Sequence, residues 1–403
     1  MVIENNQLMT LLFFEPSSGF GGSGNSLFNL LKHLDKNKFK PIVVTFNEGP
    51  QFEKIKNLGI EIIKLKVKKE ETEDKEGRLS YFKFIWDLLF NILPLSIKLV
   101  SIIKRYNIDS VHINTNIISG IPAILSARIL GIPCICHIRQ TRRFIKRERF
   151  FAKLVDRFIF INHKSKELNS DFIRGEKAKV IYDGINLEYF KEDNRERIRK
   201  EFNLDSYPIV GVVGRIVEGK GFDDFIRASA IVSQRRPEVK FLIVGADHSE
   251  GKGLEKELRN LSRNLNLNDK VIFTGWRNDT TDLISAFDIN VQPYTLPEGL
   301  PNVIIEAMAL SKPVIATNIP GPSEIVLDGE TGLLVPPCNP QALAEVIIKL
   351  LDNSTLAKKM GEAGRKRVEE VFEIKKTVRK IEEIYEEISP HITPARCNMG
   401  GRV

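Results

Sequence analysis

Residues 208–221 read PIVGVVGRIVEGKG, and the fold follows from how this stretch divides. PIVGVVG (208–214) is an apolar run of strand length, bounded by proline and glycine. GRIVEGKG (214–221) is then a glycine-rich turn at the end of that strand. Working outward, strand-like runs recur at VKFLIVG (239–245), KVIFTG (270–275), DINVQPY (288–294), KPVIAT (312–317) and TGLLVPP (331–337). Upstream, strands are predicted at LMTLLFF (8–14), PIVVTF (41–46), IEIIKLKV (60–67), SVHINT (110–115), PCICHI (133–138) and RFIFIN (157–162). Helical segments such as SLFNLLKHL (26–34) and IPAILSARIL (121–130) lie between most of them. This alternation predicts an α/β fold with parallel sheets, built as two doubly wound units in tandem. The charged stretch KEDNRERIRK (191–200) marks the passage between them. The predicted division is 1–190, 191–371, a last helix at 372–389 able to pack back on the first unit, and a mobile tail at 390–403.

At 403 residues the chain is long enough for two such cores, and 42% hydrophobic with 28% charged residues is the composition of a soluble globular protein. Met1–Gln7 is polar and the first apolar run is too short for a secretory signal, so a cytoplasmic location is expected, with access to the inner face of a membrane. Four cysteines do not suggest a disulfide framework. Cys134 and Cys136 lie in an apolar run that reads as a buried strand, and no second ligand pair completes a zinc site. The formal charge of +8 is uneven, +12 over residues 1–200 and −4 beyond. Residues 101–150 hold nine basic and two acidic side chains, mostly in RQTRRFIKRER (139–149). A solvated helix face and a surface for phosphates or anionic lipid are both open readings. Nucleic acid is disfavoured, because no stacking aromatics are interleaved and no nucleic-acid motif occurs. Residues 81–106 are apolar, but Lys83, Asp87, Pro94 and Lys98 argue against a membrane span. A long bent helix lying partly against the core is predicted instead, and contact of one side of it with lipid is left open.

Two glycine loops could hold phosphate. GFGGSG (19–24) fits G-x-G-x-x-G, but Glu15–Ser18 separate it from the strand, too long a connection for a dinucleotide turn. Its backbone N–H groups, with Gly21 and Gly22 near the helix start, still suit an anion, and a plain flexible connection is the alternative. GRIVEGKG matches G-x-x-x-x-G-K at Gly214, Gly219 and Lys220, but Gly221 replaces the magnesium-binding hydroxyl. What remains is a turn with Arg215 and Lys220, two cations able to neutralise a diphosphate with no metal. In PEGLPNVIIEAMAL (297–310) a turn starts a helix, with Pro301 suited to its first position. The amides of Gly299, Leu300 and Asn302 would add a phosphate site at the positive helix end. Glu298 and Glu306 would flank that site and accept hydrogen bonds from the two sugars of a nucleotide sugar.

With these motifs in view, the chain resembles the family 4 glycosyltransferases of GT-B fold. The resemblance rests on GRIVEGKG, LIVG, FTGW, the pair Glu298/Glu306 and PGPSEIVLDGETGLLVPP (320–337), and covers about residues 205–370. The first half is matched more loosely, through the glycine loop, His137 and YDGINLEYF (182–190). It departs from the family in GGSGNS before the first helix and in Gly-Pro-Ser-Glu (321–324), where a second glycine is common. The resemblance implies two Rossmann-like domains with a cleft between them. It also implies retention of anomeric configuration, no required metal, and no cofactor beyond the nucleotide-diphosphate sugar, UDP- or GDP-linked. Arg215 and Lys220 would bind the donor diphosphate, Glu298 the transferred sugar and Glu306 the ribose. His137 would face the donor sugar. The acceptor expected is a glycan or lipid-linked hydroxyl in envelope polysaccharide, lipopolysaccharide or glycolipid assembly. Two rivals are a nucleotide-sugar 2-epimerase of related fold, disfavoured by the basic or neutral strand ends of the first half, and a silent nucleotide-binding subunit. Retention of Arg215, Lys220, Glu298 and His137 disfavours the latter.

Overall fold

The computed structural model describes residues 8–17, 22–66, 84, 86–191, 194–247 and 253–388. They form two compact units, one made of residues up to Tyr182 together with those from Lys375, the other Asp183–Ile374.

The first unit holds one seven-stranded sheet of β1 (Met9–Glu15), β2 (Phe39–Thr45), β3 (Glu61–Lys64), β4 (Ser110–Ile113), β5 (Cys134–Ile138), β6 (Arg157–Phe160) and β7 (Ala178–Val180). Their order is β3-β2-β1-β4-β5-β6-β7, and every pairing is parallel. β1 and β5 are buried along their whole length, which is why their sequences read as continuous apolar runs. Cys134 and Cys136 accordingly sit on β5, both buried and both free. β3 is shorter than IEIIKLKV suggested, because it is an edge strand with half-exposed side chains. β7 was not foreseen; it is short and only partly buried, so it leaves little pattern. The helix Ile374–Ile388 belongs to this unit. Its Glu382 accepts from the Asp35 amide at 2.8 Å, and its Tyr385 hydroxyl bonds His112 Nδ1 at 2.6 Å beneath the sheet.

The second unit repeats the plan with six parallel strands: β8 (Ile209–Val213), β9 (Lys240–Val244), β10 (Val271–Gly275), β11 (Ile289–Gln292), β12 (Val314–Thr317) and β13 (Gly332–Val335). The order is β10-β9-β8-β11-β12-β13. Its core joins Val210, Val212, Phe225, Phe241, Ile315 and Ile347. The division falls earlier than residue 190, since Ile185 already pairs with Glu373 and exchanges backbone hydrogen bonds with Phe372 and Ile374. The predicted bent helix runs as a π turn, Leu88–Ile92, into the α-helix Leu93–Tyr106. Pro94 explains the change, because a proline cannot donate to the preceding turn and crowds its carbonyl. Among the described residues no helix is long and apolar enough to cross a membrane.

Candidate functional site

In a doubly wound sheet the strand order reverses once, and the two loops leaving the carboxyl ends there diverge and open a crevice. In the second unit the reversal lies between β8 and β11. The loop after β8 is Gly214–Gly221 and the loop after β11 is Pro293–Pro301. The two motifs singled out above, far apart in sequence, therefore emerge side by side.

The loops are joined closely. The Thr295 amide donates to the Gly219 carbonyl at 2.9 Å. Gly221 begins the Phe222–Arg235 helix with φ of 69°, and a Cβ there would stand 1.8 Å from the Pro293 carbonyl oxygen. Only glycine meets both conditions. Lys220 is thereby carried over the Tyr294 ring, 4.6 Å from its centroid, and its Nζ meets Glu298 Oε1 at 2.7 Å. Glu298 is itself held from a third loop, its amide donating to the Pro320 carbonyl at 3.2 Å. Gly321, at φ of 96°, lets that loop approach; a Cβ would lie 2.7 Å from the Glu298 carbonyl oxygen.

The helix of the second motif spans Asn302–Ala309, one residue later than predicted, and Pro301 is its N-cap. Pro301 has ψ of 102°, an extended value that the first helical position does not take. No side chain caps this helix, and in its first turn the Ile304 amide donates to the Pro301 carbonyl at 3.0 Å. The Asn302 side-chain oxygen is buried with no hydrogen-bond partner among the described residues. The helix is apolar on most sides, burying Ile304, Ile305, Ala307 and Met308. Half-buried Glu306 is set into it, and burial pushes its carboxyl up to about 7. Burial, then the charges of Glu298 and Glu306, push the Tyr294 phenol well above its ordinary range.

Lys220, Tyr294 and Glu298 thus form one cluster, with Gly214 at the start of the Lys220 loop, Gly299 and Leu300 in the turn leading to the helix, and Glu306 on that helix. Arg215 is exposed on the same loop and makes no ion pair or hydrogen bond through its side chain among the described residues. Tyr294 was not foreseen as part of the site, since an aromatic residue at a strand end reads as core. A cavity of about 840 Å³ elsewhere in this unit is lined by Tyr207, Pro208, Asp288, Ile289, Lys312 and Pro313. It opens at the amino ends of β8, β11 and β12, where a parallel sheet offers no diverging loops.

In the first unit the reversal lies between β1 and β4. Glu15, fully buried at the end of β1, accepts from the Asn114 side-chain amide and from the Ser17 amide at 3.1 Å. Arg139 donates to Asn114 Oδ1 and to its carbonyl oxygen, both at 2.8 Å. His137 lies on β5, 1% exposed, with Nδ1 3.5 Å from the Arg139 guanidinium. Its Nε2 is buried with no partner among the described residues. Burial, then the charges of Arg139 and His112, hold its pKa well below the usual imidazole range, so the ring is neutral. Gly22 opens the helix Gly22–His33, while Gly21 lies outside the described residues.

Comparison with known proteins finds relatives over both halves of the chain. Residues 194–367 match the glycosyl transferases group 1 and residues 20–189 the glycosyltransferase family 4 profile. The chain is 33% identical to the capsular polysaccharide biosynthesis glycosyltransferase CapM of Staphylococcus aureus over 55% of its own length and 58% of that protein's. It is 27% identical to the UDP-Gal:alpha-D-GlcNAc-diphosphoundecaprenol alpha-1,3-galactosyltransferase of Escherichia coli, covering 72% of this chain and 78% of that one. Among solved structures, Anabaena Alr3699/HepE in complex with UDP and glucose superposes with a TM-score of 0.79 at 23% identity, over 94% of this chain and 99% of the other. Two Rossmann-like sheets, phosphate-suited loops at the second switch point and family matches over both halves lead to one conclusion: the chain belongs to the family 4, group 1 glycosyltransferases, of GT-B fold.

Proposed function

We propose that this protein transfers a hexose, with retention and without a metal, from a nucleotide-diphosphate sugar to a hydroxyl of a glycan or lipid-linked acceptor. The observation that carries the reading is the Lys220–Glu298 pair at the carboxyl edge of β8 and β11, beside an uncapped helix end. The Lys220 ammonium, 2.7 Å from Glu298, is the group that a diphosphate would take. On donor binding Lys220 exchanges the carboxylate for pyrophosphate, and Glu298 turns to the hydroxyls of the transferred sugar. Glu306 accepts from the ribose hydroxyls at the other end.

The bond from the anomeric carbon to the β-phosphate oxygen breaks, its electron pair leaving on the phosphate. Arg215, Lys220 and the amides of Gly299–Asn302 stabilise the charge that develops there. The acceptor oxygen bonds the same face of the sugar, and its proton passes to the departing phosphate oxygen. In the first unit the neutral His137 is assigned to the donor sugar, and Gly21 and Gly22 to its phosphates. UDP is the nucleotide we favour over GDP, since HepE binds UDP and the E. coli relative uses UDP-Gal. The latter's diphosphoundecaprenol substrate, and the capsular role of CapM, support a lipid-linked acceptor in polysaccharide assembly at an anionic membrane face.

The test is a melting-temperature screen of UDP- and GDP-sugars, followed by product analysis with and without EDTA. The expected result is one donor class that stabilises the protein by mass action, a product with the donor's anomeric configuration, and a rate indifferent to EDTA. An inverted product, or turnover lost on chelation, would refute the mechanism. An epimerised nucleotide sugar would return the reading to the 2-epimerase.

A further inference from the structure

The helical run from Trp86 to Tyr106 buries Ile92, Leu95, Leu99 and Ile103 against the first unit's core. Its opposite face does something unusual. Trp86, Leu89, Phe90, Leu93 and Ile97 form an outward ridge, with Trp86 59%, Phe90 57% and Ile97 66% exposed. The Trp86 and Phe90 rings lie against each other, centroids 4.2 Å apart and planes tilted by 35°. Over roughly 17 Å of helix this is one contiguous apolar strip, more than scattered surface residues would make. Beyond Ile97 the same face turns basic, through exposed Lys98, Lys104 and Arg105.

A second helix continues the pattern. Arg147 of the Lys146–Ala152 helix lies over the Phe84 ring at 4.5 Å, and Phe84 packs edge-on against Phe151. That contact sets the helix at the foot of the ridge, where Phe150 is 64% exposed between exposed Lys146 and Lys153. None of Lys98, Lys104, Lys146 and Lys153 makes an ion pair among the described residues. The acid on the ridge, Asp87, is bonded to the Asn91 side chain at 2.8 Å.

We propose that this ridge, with its flanking unpaired lysines, docks the first unit onto an anionic phospholipid surface, the ridge entering the acyl boundary and the lysines meeting phosphates. Interfacial helices work in this way, through apolar burial plus charge attraction. A helix too short to span has no other use for such a strip in lipid, and long cationic side chains reach past it to the headgroups. The proposal deepens the membrane-facing part of the function above, but vesicle binding needs neither donor nor turnover.

The experiment is co-sedimentation of the full chain with phosphatidylglycerol–phosphatidylcholine vesicles and with phosphatidylcholine alone. A Trp276→Phe background leaves Trp86 as the sole indole, since the chain has 2 tryptophans. Anionic vesicles are expected to bind at least about tenfold more tightly and to shift Trp86 emission to the blue. Raising salt from about 0.1 to about 1 M should remove most of that preference. Trp86→Ser with Phe90→Ser should weaken binding by about tenfold or more, given the area withdrawn from water. Lys98→Glu with Lys104→Glu should abolish the anionic preference, and it tests the idea independently should the first variant fold poorly. Equal binding to both vesicles, or binding unchanged in both variants, would overturn the proposal. So would a dimer that the serine variant dissociates with no vesicle binding, since the ridge would then cover a second copy. Transfer to a soluble acceptor should persist in both variants; its loss in the wild type would count against the enzymatic reading alone.

Discussion

Glu306→Gln should make the ligand-free protein more stable at alkaline pH while weakening the hold on the donor. Glu306 is half-buried in an apolar helix, and burial raises its carboxyl from 4.5 to about 7. A raised carboxyl favours the protonated native state, so its contribution is fully present below pH 4.5 and is lost as pH rises through about 7. The shift sets a ceiling of about 3 kcal/mol; partial exposure to water reduces this to about 2 kcal/mol. Glutamine is neutral throughout. The variant should therefore match the wild type near pH 4.5 and exceed it by about 2 kcal/mol at pH 8, which for a unit of this size is roughly 4–8 °C in Tm. Paired thermal melts between these limits, read as the difference between the two proteins, cancel the buried histidines, which titrate in the same window. For a donor whose ribose bonds the carboxylate, wild-type affinity should tighten as pH rises through 7, and the variant's should not. Parallel melting curves, or a variant less stable at pH 8, would refute the reasoning.

Lys220→Ala removes the cation held 2.7 Å from Glu298 and should lower turnover by about two orders of magnitude or more; near-normal turnover would dismiss the diphosphate assignment. Gly221→Ala must relieve both a positive φ and a Cβ 1.8 Å from the Pro293 oxygen. It should cost at least about 2 kcal/mol, seen as a lower Tm of the ligand-free protein, and an unchanged Tm would be the contrary result. Tyr385→Phe strands the buried His112 Nδ1 and should cost about 1–3 kcal/mol in urea melts. Burial, then the charge of Arg139, holds His112 down to about 3, so its stabilisation of the neutral state is lost as pH falls below 6.5. An acid limb with no contribution from His112→Gln would contradict this.

Much of this molecule was legible in one dimension. Parallel strands buried on both faces must be apolar throughout, so β1, β5 and β8 announced themselves, and the restart at Pro208 declared a second unit. The short edge strands β3 and β7 did not, because half-exposed strands carry a diluted pattern. Arg215, Lys220, Glu298 and Glu306 could be named from glycine spacing and charge, since those features depend on neighbours in the chain. Tyr294 and Gly321 could not, because their roles rest on loops that meet only once the sheet is ordered. The sequence alone determined which residues bear charge beside flexible backbone. The tertiary structure decided that Lys220 rests against Glu298, that Glu306 is desolvated, and that Trp86 and Phe90 face outward. Those outcomes depend on strand order and helix packing, and local sequence carries no record of what lies across the sheet.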